Sequence, residues 1–267
     1  MTKLQLKTER MLAEVESGVG WITFNQPSKH NAVSYDMWTA IPEICDAFSA
    51  DPFVRVVVMK GAGEKAFVSG ADISEFEEKR GSAGDIAVYE QATGAANAAL
   101  RLLEKPLIAM IRGYCIGGGL GLSLSADLRI ASDDAQFAVP AAKLGLGYAY
   151  GGIKELMNIV GPSFAKEIFF TARRFDAGEA RTMGLVNRVV PAADLETATR
   201  SYAEMIAGNA PLTVKAAKAA VNEGAKDPEA RDIPSVDAMV AACFASDDYK
   251  EGRRAFMEKR KPQFQGR

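Results

Sequence analysis

The segment GYCIGGGLGLSLSAD, residues 113–127, does most to decide the fold. An apolar, strand-like stretch ends there in three glycines, Gly117, Gly118 and Gly119, and a segment rich in Ala, Leu and Ser follows that is typical of a helix. Glycine has no Cβ, so this turn lets another molecule approach the backbone closely, and N–H groups at a helix start can face an anion. The alternative is a close strand-to-helix turn that binds nothing.

A second segment, KAFVSGADISEF at residues 65–76, has the same organisation. A short apolar stretch runs through Ser69 and Gly70 into a predicted helix start, where a backbone N–H can point outward. The glycine triplet is not a dinucleotide-binding motif, because Leu122 stands where the last glycine of GxGxxG belongs, and the sequence contains no GxxxxGK[ST] phosphate loop.

Strands and helices alternate on both sides of these segments, which predicts an α/β fold. Apolar spacing predicts helices over residues 34–50, with Ser34 as N-cap, and over residues 89–103. Residues 11–25 form a predicted hairpin around Ser17 and Gly18. Further strands are predicted at residues 54–59, 106–115 and 128–132, loops at 61–63 and 81–84, and C-terminal helices at 194–209, 210–224, 235–245 and 249–261.

The composition excludes several classes of protein. A formal net charge of −2 gives no broad attraction for nucleic acid. Cys45, Cys115, Cys243 and the single His30 lack metal-site spacing, so no metal is expected. No stretch of about 18 apolar residues and no signal-peptide core occurs. We therefore expect a cytoplasmic protein without a membrane span.

The two glycine-bearing segments resemble the signature regions of the crotonase (enoyl-CoA hydratase/isomerase) superfamily, and the resemblance extends through residues 137–146, 169–191 and 248–262. It implies a ClpP-like spiral of ββα units over residues 1–195 and a helical region, 196–267, that covers the active site and builds a homotrimer or a dimer of trimers. The implied substrate is an acyl-CoA thioester, and no cofactor is implied beyond the coenzyme A of that substrate.

By the same resemblance, the backbone N–H groups of Ser69 and Gly118 form an oxyanion hole, to which the Ser69 hydroxyl adds a third possible donor. The coenzyme A path is then lined by the following residues: Ala66, Ser69, Gly70, Ala71, Asp72, Ile73, Gly117 and Gly118. Asp72 has an alternative role as a helix cap. Lys259 and Lys261 are candidate phosphate contacts, or simply solvated charges.

The chain departs from the hydratases of this family at both catalytic glutamates, whose positions are Gly121 and Ala141 here. Neither residue can activate water or deliver a proton. Asp127 and Glu155 are nearby carboxylates that we interpret as structural, and His30 as a surface residue. A Ser/His/Asp triad is excluded, because His30 is the only histidine.

Tyr148 falls where methylmalonyl-CoA decarboxylases of the superfamily have a tyrosine near the reacting carboxylate. Decarboxylation generates its own carbanion, so an oxyanion hole and an orienting O–H group are sufficient for it. Those decarboxylases have a histidine where this chain has Ala71, and Tyr148 and Tyr150 are alternatively pocket or core aromatics. Three hypotheses remain: an enoyl-CoA hydratase/isomerase, an acyl-CoA decarboxylase that uses Tyr148, and a CoA-ester-binding protein without catalysis. The acyl group is expected to depend on residues 81–94.

Overall fold

Two β-sheets form the frame of the protein in the computed structural model, which describes residues 2–75 and 83–267. The larger sheet has the strand order β1-β2-β3-β4-β6-β8-β11 and the smaller one the order β10-β9-β7-β5. The strands are β1 Thr2–Lys3, β2 Met11–Glu16, β3 Val19–Phe24, β4 Val56–Gly61, β5 Ala66–Val68, β6 Leu107–Ile111, β7 Tyr114–Ile116, β8 Leu128–Ser132, β9 Gln136–Ala138, β10 Phe175–Asp176 and β11 Arg188–Val190.

Helices connect and cover these strands. They are α1 Tyr35–Ala50, α2 Ala83–Leu102, α3 Gly118–Leu124, α4 Ala141–Leu144, α5 Tyr150–Thr171 (broken at Gly161), α6 Ala177–Thr182, α7 Leu195–Ala207, α8 Pro211–Gly224, α9 Ile233–Ala245 and α10 Asp247–Met257. Single 3₁₀ turns lie at Pro27–Lys29, Ile73–Glu75, Ala192–Asp194 and Pro228–Ala230.

The centre of the large sheet is parallel and buried on both faces, as its β-branched sequence predicts. Strand β4 pairs in parallel with β3 and β6, and its residues Val56, Val57 and Val58 are fully buried. The β2–β3 hairpin is antiparallel and turns at Ser17 and Gly18, as predicted. One face of the sheet packs on α1 and the main core, and the other packs on α7 through Leu195 and Ala203.

One predicted strand is wrong in its extent, because residues 106–115 form two strands in different sheets. β6 belongs to the large sheet and β7 to the small one. Gly113, between them, has φ +61°, and a Cβ there would lie 2.1 Å from the carbonyl oxygen of Lys65. The chain can therefore change sheets only because this residue is glycine.

The region after α1 and β4 corrects a second expectation. Residues 81 and 82 of the predicted 81–84 loop lie outside the described residues, whereas 83–94 belong to α2, which ends at Leu102 as expected. Helix α2 begins at Ala83, before the predicted start at residue 89.

The predicted helical C-terminal region is present as α7 to α10. Helix α10 ends at Met257, so Lys259 and Lys261 lie beyond it and are exposed. The tail then returns to this helix, since the Asp248 carboxylate accepts N–H groups from Gln265 (2.6 Å) and Gly266 (2.8 Å). The division after residue 195 remains a prediction, and α7 packs on the large sheet. No helix among the described residues is long and apolar enough to cross a membrane.

Candidate active site

A cleft of about 610 Å³ lies where the two glycine-bearing turns meet helices α2 and α5. Its wall includes Ala71 from the first turn and Gly117, Gly118 and Gly121 from the second. The opposite side is formed by the first residues of α5 and by the preceding segment with Tyr148. Both glycine-bearing turns singled out in the sequence therefore contribute residues to this cleft.

The second turn is shaped by its glycines. Gly117 has φ +54° and ψ −114° and donates its N–H to Ala138 at 2.8 Å. Gly119 packs so closely on β5 that a Cβ would lie 2.0 Å from the carbonyl oxygen of Val68. Helix α3 is thus held against the first turn, and the N–H of Gly118, at its first position, has no acceptor among the described residues.

Ala71 presents the matching N–H group. Val33 forms a parallel bridge with Ala71 in which it donates to Gly70 O (2.8 Å) and accepts from Asp72 N (2.9 Å). Because the neighbours on both sides bond to Val33, the amide of Ala71 points away from it, as in any parallel ladder. A Cβ built on Gly118 would lie 3.6 Å from the Ala71 nitrogen. The two amides therefore lie side by side at the cleft wall.

The predicted role of the Ser69 amide is wrong. Its N–H donates to the carbonyl oxygen of His30 at 3.1 Å, and its hydroxyl lies 3.3 Å from the carbonyl oxygen of Lys29. Both groups are thus bonded to the preceding loop, and Ser69 does not line the cleft. The donor at the cleft lies two residues further on, at Ala71, after Gly70, whose φ of +120° favours glycine.

The other residues predicted along the coenzyme A path have different environments. Gly117 and Gly118 line the cleft, Ile73 is 73% exposed beside it, and Ala66 is buried within β5. The carbonyl oxygen of Gly70 accepts a hydrogen bond from the Val33 N–H. The structure carries no coenzyme A, so their contact with it remains a prediction.

Asp72 has the alternative, structural role. Its buried carboxylate accepts from Lys29 Nζ at 2.8 Å, Gln26 Nε2 at 3.2 Å and Ser74 N at 3.1 Å, so it caps the 3₁₀ turn that follows. Burial alone would raise the pKa of this carboxyl, but the hydrogen bonds from Lys29 and Ser74 outweigh it and leave the pKa lowered. Asp72 is therefore a charged anchor of the first turn.

Tyr148 lies in the cleft and is 38% exposed. Its ring meets Phe169 edge-on at 5.0 Å between centroids, an arrangement that aromatic pairs prefer. Burial raises the pKa of the phenol, so it stays protonated and can donate a hydrogen bond. Tyr150 is different, since it is 73% exposed and outside the cleft lining.

The two positions that lack glutamate also differ from each other. Gly121 faces the cleft, and a Cβ there would have no atom within 4 Å. Ala141 is 5% exposed and does not line the cleft. The space next to Gly121 is therefore open, and no carboxylate is attached at either position.

The two other carboxylates that the sequence predicts to be structural, Asp127 and Glu155, have different environments. Asp127 accepts from Leu107 N at 2.6 Å and from Lys218 Nζ at 2.8 Å, as a structural acid does. Glu155 lines the cleft and pairs with Arg101 at 2.7 Å. His30 is exposed, as expected, and stacks edge-on to Tyr114 with centroids 5.9 Å apart.

The sequence analysis missed the polar wall that α2 gives the cleft. Glu90, Thr93, Asn97 and Arg101 all line it, at the spacing of one helix face. These polar positions recur every three or four residues in an Ala-rich segment, a signal that was present in the sequence. What it could not show is that this face meets the glycine turns.

No group of three or more His, Cys, Asp or Glu side chains suited to a metal ion occurs among the residues that the structure describes. Cys45 and Cys115 are buried, and burial raises the pKa of both thiols to about 12. They are therefore unreactive thiols at neutral pH.

Comparison with known proteins identifies the class of enzyme to which this fold belongs. The enoyl-CoA hydratase/isomerase family pattern matches residues 14–267. A short-chain-enoyl-CoA hydratase of Clostridium acetobutylicum is 36% identical over 96% of this chain and 97% of its own length. A crotonyl-CoA hydratase of Syntrophomonas wolfei is 34% identical over 96% and 98%.

Solved structures agree. An enoyl-CoA hydratase/carnithine racemase from Magnetospirillum magneticum has a TM-score of 0.91 at 34% identity, covering 98% of this chain and 97% of its own. A putative enoyl-CoA hydratase/isomerase family protein from Hyphomonas neptunium has a TM-score of 0.91 at 37% identity, covering 98% and 100%. The chain belongs to the enoyl-CoA hydratase/isomerase family, and the predicted fold class and superfamily are confirmed.

Proposed function

We propose that this enzyme stabilises the enolate of an acyl-CoA thioester with the backbone N–H groups of Ala71 and Gly118. The observation that supports it most is the position of these two amides, side by side at the cleft wall without an acceptor among the described residues. An N–H group without an acceptor is unfavourable away from water, so a carbonyl oxygen that enters the cleft and accepts from both amides would satisfy them.

The chemistry follows from where charge develops. When water adds to the β-carbon of an enoyl ester, or when a proton or CO₂ leaves the carbon next to the thioester, negative charge accumulates on the thioester oxygen. Two donors that are already oriented stabilise this charge without reorganising, and removal of one such donor typically costs about 10² to 10³ in rate. The proposal therefore transfers the predicted role of Ser69 to Ala71 and keeps that of Gly118.

The reaction that we propose is hydration or isomerisation of a short enoyl-CoA ester, as the names of the relatives suggest. Gly121 and Ala141 carry no acid or base, so proton transfer is assigned to the groups that the cleft contains. Tyr148 lines the cleft and its phenol stays protonated, so it is the proton donor that we assign.

A second candidate is decarboxylation of a malonyl-type ester, and the position of Tyr148 favours it. Tyr148 lines the cleft and its phenol stays protonated. An O–H donor can hold the reacting carboxylate while CO₂ leaves, and no separate base is then needed.

Two spectroscopic assays distinguish these candidates. Crotonyl-CoA should lose its conjugated enoyl absorbance with the purified enzyme if hydration is the reaction, whereas methylmalonyl-CoA should release CO₂ if decarboxylation is. Boiled enzyme serves as the control. The absence of both reactions together with tight binding of CoA esters would contradict catalysis and leave a CoA-ester-binding protein.

Coenzyme A binding itself is proposed to run from Ala71 and Gly117 outward past Ile73. Lys259 and Lys261 remain candidate phosphate contacts, since both are exposed after the end of α10. Because phosphate contacts of this kind are screened by salt, they predict weaker ester binding at high ionic strength.

A further inference from the structure

The far end of the cleft differs from the end that holds the paired amides. Trp38 donates to the Tyr89 hydroxyl at 3.0 Å, and α1, which carries Trp38, starts next to the Val33–Ala71 bridge. The Tyr89 end of α2 is therefore the end near the amides. Arg101 follows Tyr89 by twelve residues, which is about 18 Å along a helix. Arg101 thus lies far along the cleft from the amides, and we assign this end to the acyl chain because the proposed coenzyme A path leaves past Ile73.

This distal end carries an ion pair rather than an apolar floor. Arg101 Nη1 lies 2.7 Å from Glu155 Oε1, and their side chains are 44% and 31% exposed. Among the described residues, no partner is bonded to the second oxygen of Glu155 or to the remaining N–H groups of Arg101. The pair therefore offers both a donor and an acceptor to a third group.

The wall between the two ends is polar as well. Thr93 and Asn97 face the cleft from α2, and Asn97 Nδ2 donates to the Thr93 carbonyl oxygen at 2.8 Å. Glu90 lies on the same face. A plain alkyl chain placed along this wall would remove water from these groups and return no hydrogen bonds, which is unfavourable.

The charges of the cleft indicate which polar group fits. The charged residues that line it are Glu90, Arg101 and Glu155 among the described residues, so two carboxylates face one guanidinium. A carboxylate at the end of the acyl chain would be repelled by Glu155, which lies next to Arg101. An ammonium group would be repelled by Arg101. A hydroxyl group can accept from Arg101 and donate to Glu155 at the same time.

We infer that the substrate is an acyl-CoA whose acyl chain carries a neutral hydrogen-bonding group, a hydroxyl, at its distal end, which the Arg101–Glu155 pair recognises. The inference rests on the proposed function, since it assumes that the thioester occupies the amides of Ala71 and Gly118. The pair determines specificity and takes no part in the bond changes.

Binding of non-reacting saturated esters tests it. We would measure the Kd of butyryl-, hexanoyl- and octanoyl-CoA, of their ω-hydroxy counterparts and of the matching ω-carboxy esters, by titration calorimetry. One new hydrogen bond of ordinary strength makes the best-fitting ω-hydroxy ester bind about tenfold more tightly than the alkyl ester of that length. The ω-carboxy ester should bind no better than the alkyl ester.

Variants separate recognition from folding. Arg101→Met keeps an unbranched, apolar stem and removes the guanidinium donors. The preference for the hydroxy ester should therefore disappear, while binding of the alkyl ester is retained. Lys154→Met is the matched control, because Lys154 lies next to Glu155, pairs with Asp227 at 2.6 Å and does not line the cleft. It should keep the preference. Melting curves of both variants check the fold.

Three results would overturn the inference. The inference is wrong if alkyl and ω-hydroxy esters of every length have identical Kd values, if the ω-carboxy ester binds best, or if Arg101→Met keeps the preference. None of these three results bears on the proposed function, which the two turnover assays test separately. If none of the esters bound at all, the proposed function would fail together with the inference.

Discussion

At the scale of single residues, the site depends on which backbone amides are already bonded. Ser69 and Ala71 are separated by one glycine, yet the N–H of Ser69 is bonded to His30 and that of Ala71 faces the cleft. Hydrogen bonding of the backbone must be accounted for group by group. Only the bond to His30, a contact 39 residues away in the chain, distinguishes the two candidates.

Substitution of Gly118 by proline tests the proposed amide pair. Proline lacks the N–H and is tolerated at the first position of a helix, which Gly118 occupies in α3. We expect kcat to fall by about 10² to 10³ with the fold retained. Steady-state kinetics and circular dichroism measure the two effects.

Gly118→Ala is the matched control for this experiment. It keeps the N–H, and its Cβ would lie 3.6 Å from the Ala71 nitrogen, an ordinary contact. It should therefore lose less activity than Gly118→Pro. Equal losses for both variants would argue against the amide as the important group.

Tyr148 gives a prediction on pH. Burial raises the pKa of this phenol above its usual value of 10, and the phenol donates a hydrogen bond only below that pKa. A reaction that depends on its O–H should therefore keep a constant rate from pH 7 to about pH 9 and decline only at higher pH. Rate–pH profiles of the wild type and Tyr148→Phe measure this.

The same variant tests the proposed catalytic role. Phenylalanine keeps the ring contact with Phe169 and removes only the hydroxyl. Loss of a hydrogen bond to a charged group costs about 1.5 to 3 kcal/mol, so the rate should fall about tenfold to a hundredfold. A Tyr148→Phe enzyme with unchanged kcat would show that Tyr148 only lines the pocket.

At the scale of elements, the packing of α3 on β5 sets the distance between the two turns. Gly119 and Gly121 belong to the same helix. A Cβ at Gly119 would lie 2.0 Å from Val68 O, whereas a Cβ at Gly121 would have no atom within 4 Å. Gly119→Ala should therefore lower the free energy of unfolding by about 1 to 3 kcal/mol, because the backbone must shift.

Gly121→Ala is expected to do the opposite. Alanine is the better residue in a helix interior by about 0.5 to 1 kcal/mol, so this variant should be as stable as the wild type or more stable. Urea denaturation of the two variants, in one experiment, measures the difference. Similar stabilities would mean that α3 is not packed as tightly on β5 as the structure shows.

At the scale of the whole molecule, the helical C-terminal region exposes large apolar side chains. Phe244, Phe256 and Met257 are 63%, 82% and 80% exposed, and together with Tyr249 they border an apolar groove of about 970 Å³ between α8, α9 and α10. Exposed apolar patches of this kind mark interaction sites. We propose that this region takes part in the assembly of the homotrimer or dimer of trimers.

Phe256→Asp tests this assembly. A charge in a buried apolar interface is unfavourable, so the variant should have a lower mass in solution than the wild type. Phe53→Asp is the control, since Phe53 is 77% exposed and does not border the groove. Light scattering after gel filtration gives both masses. A monomeric wild type, or a Phe256→Asp variant of unchanged mass, would contradict the proposal.

Much of the fold could be predicted from local patterns. The β2–β3 hairpin, α1, β8 and the C-terminal helices follow from apolar periodicity and turn residues, which act over a few positions of the chain. The division of residues 106–115 into β6 and β7 could not be predicted, because both parts are apolar. It depends on the contact of Gly113 with Lys65, a residue 48 positions away.

The sequence by itself determined the family, the two glycine turns and the absence of glutamate at Gly121 and Ala141, since these are properties of residue identity and order. The tertiary structure alone decided that Ala71 rather than Ser69 presents its amide, and that Arg101 and Glu155 meet at the far end of the cleft. The physical reason is that a hydrogen bond or an ion pair joins groups that are distant in the chain, and only folding brings their atoms within about 3 Å of each other.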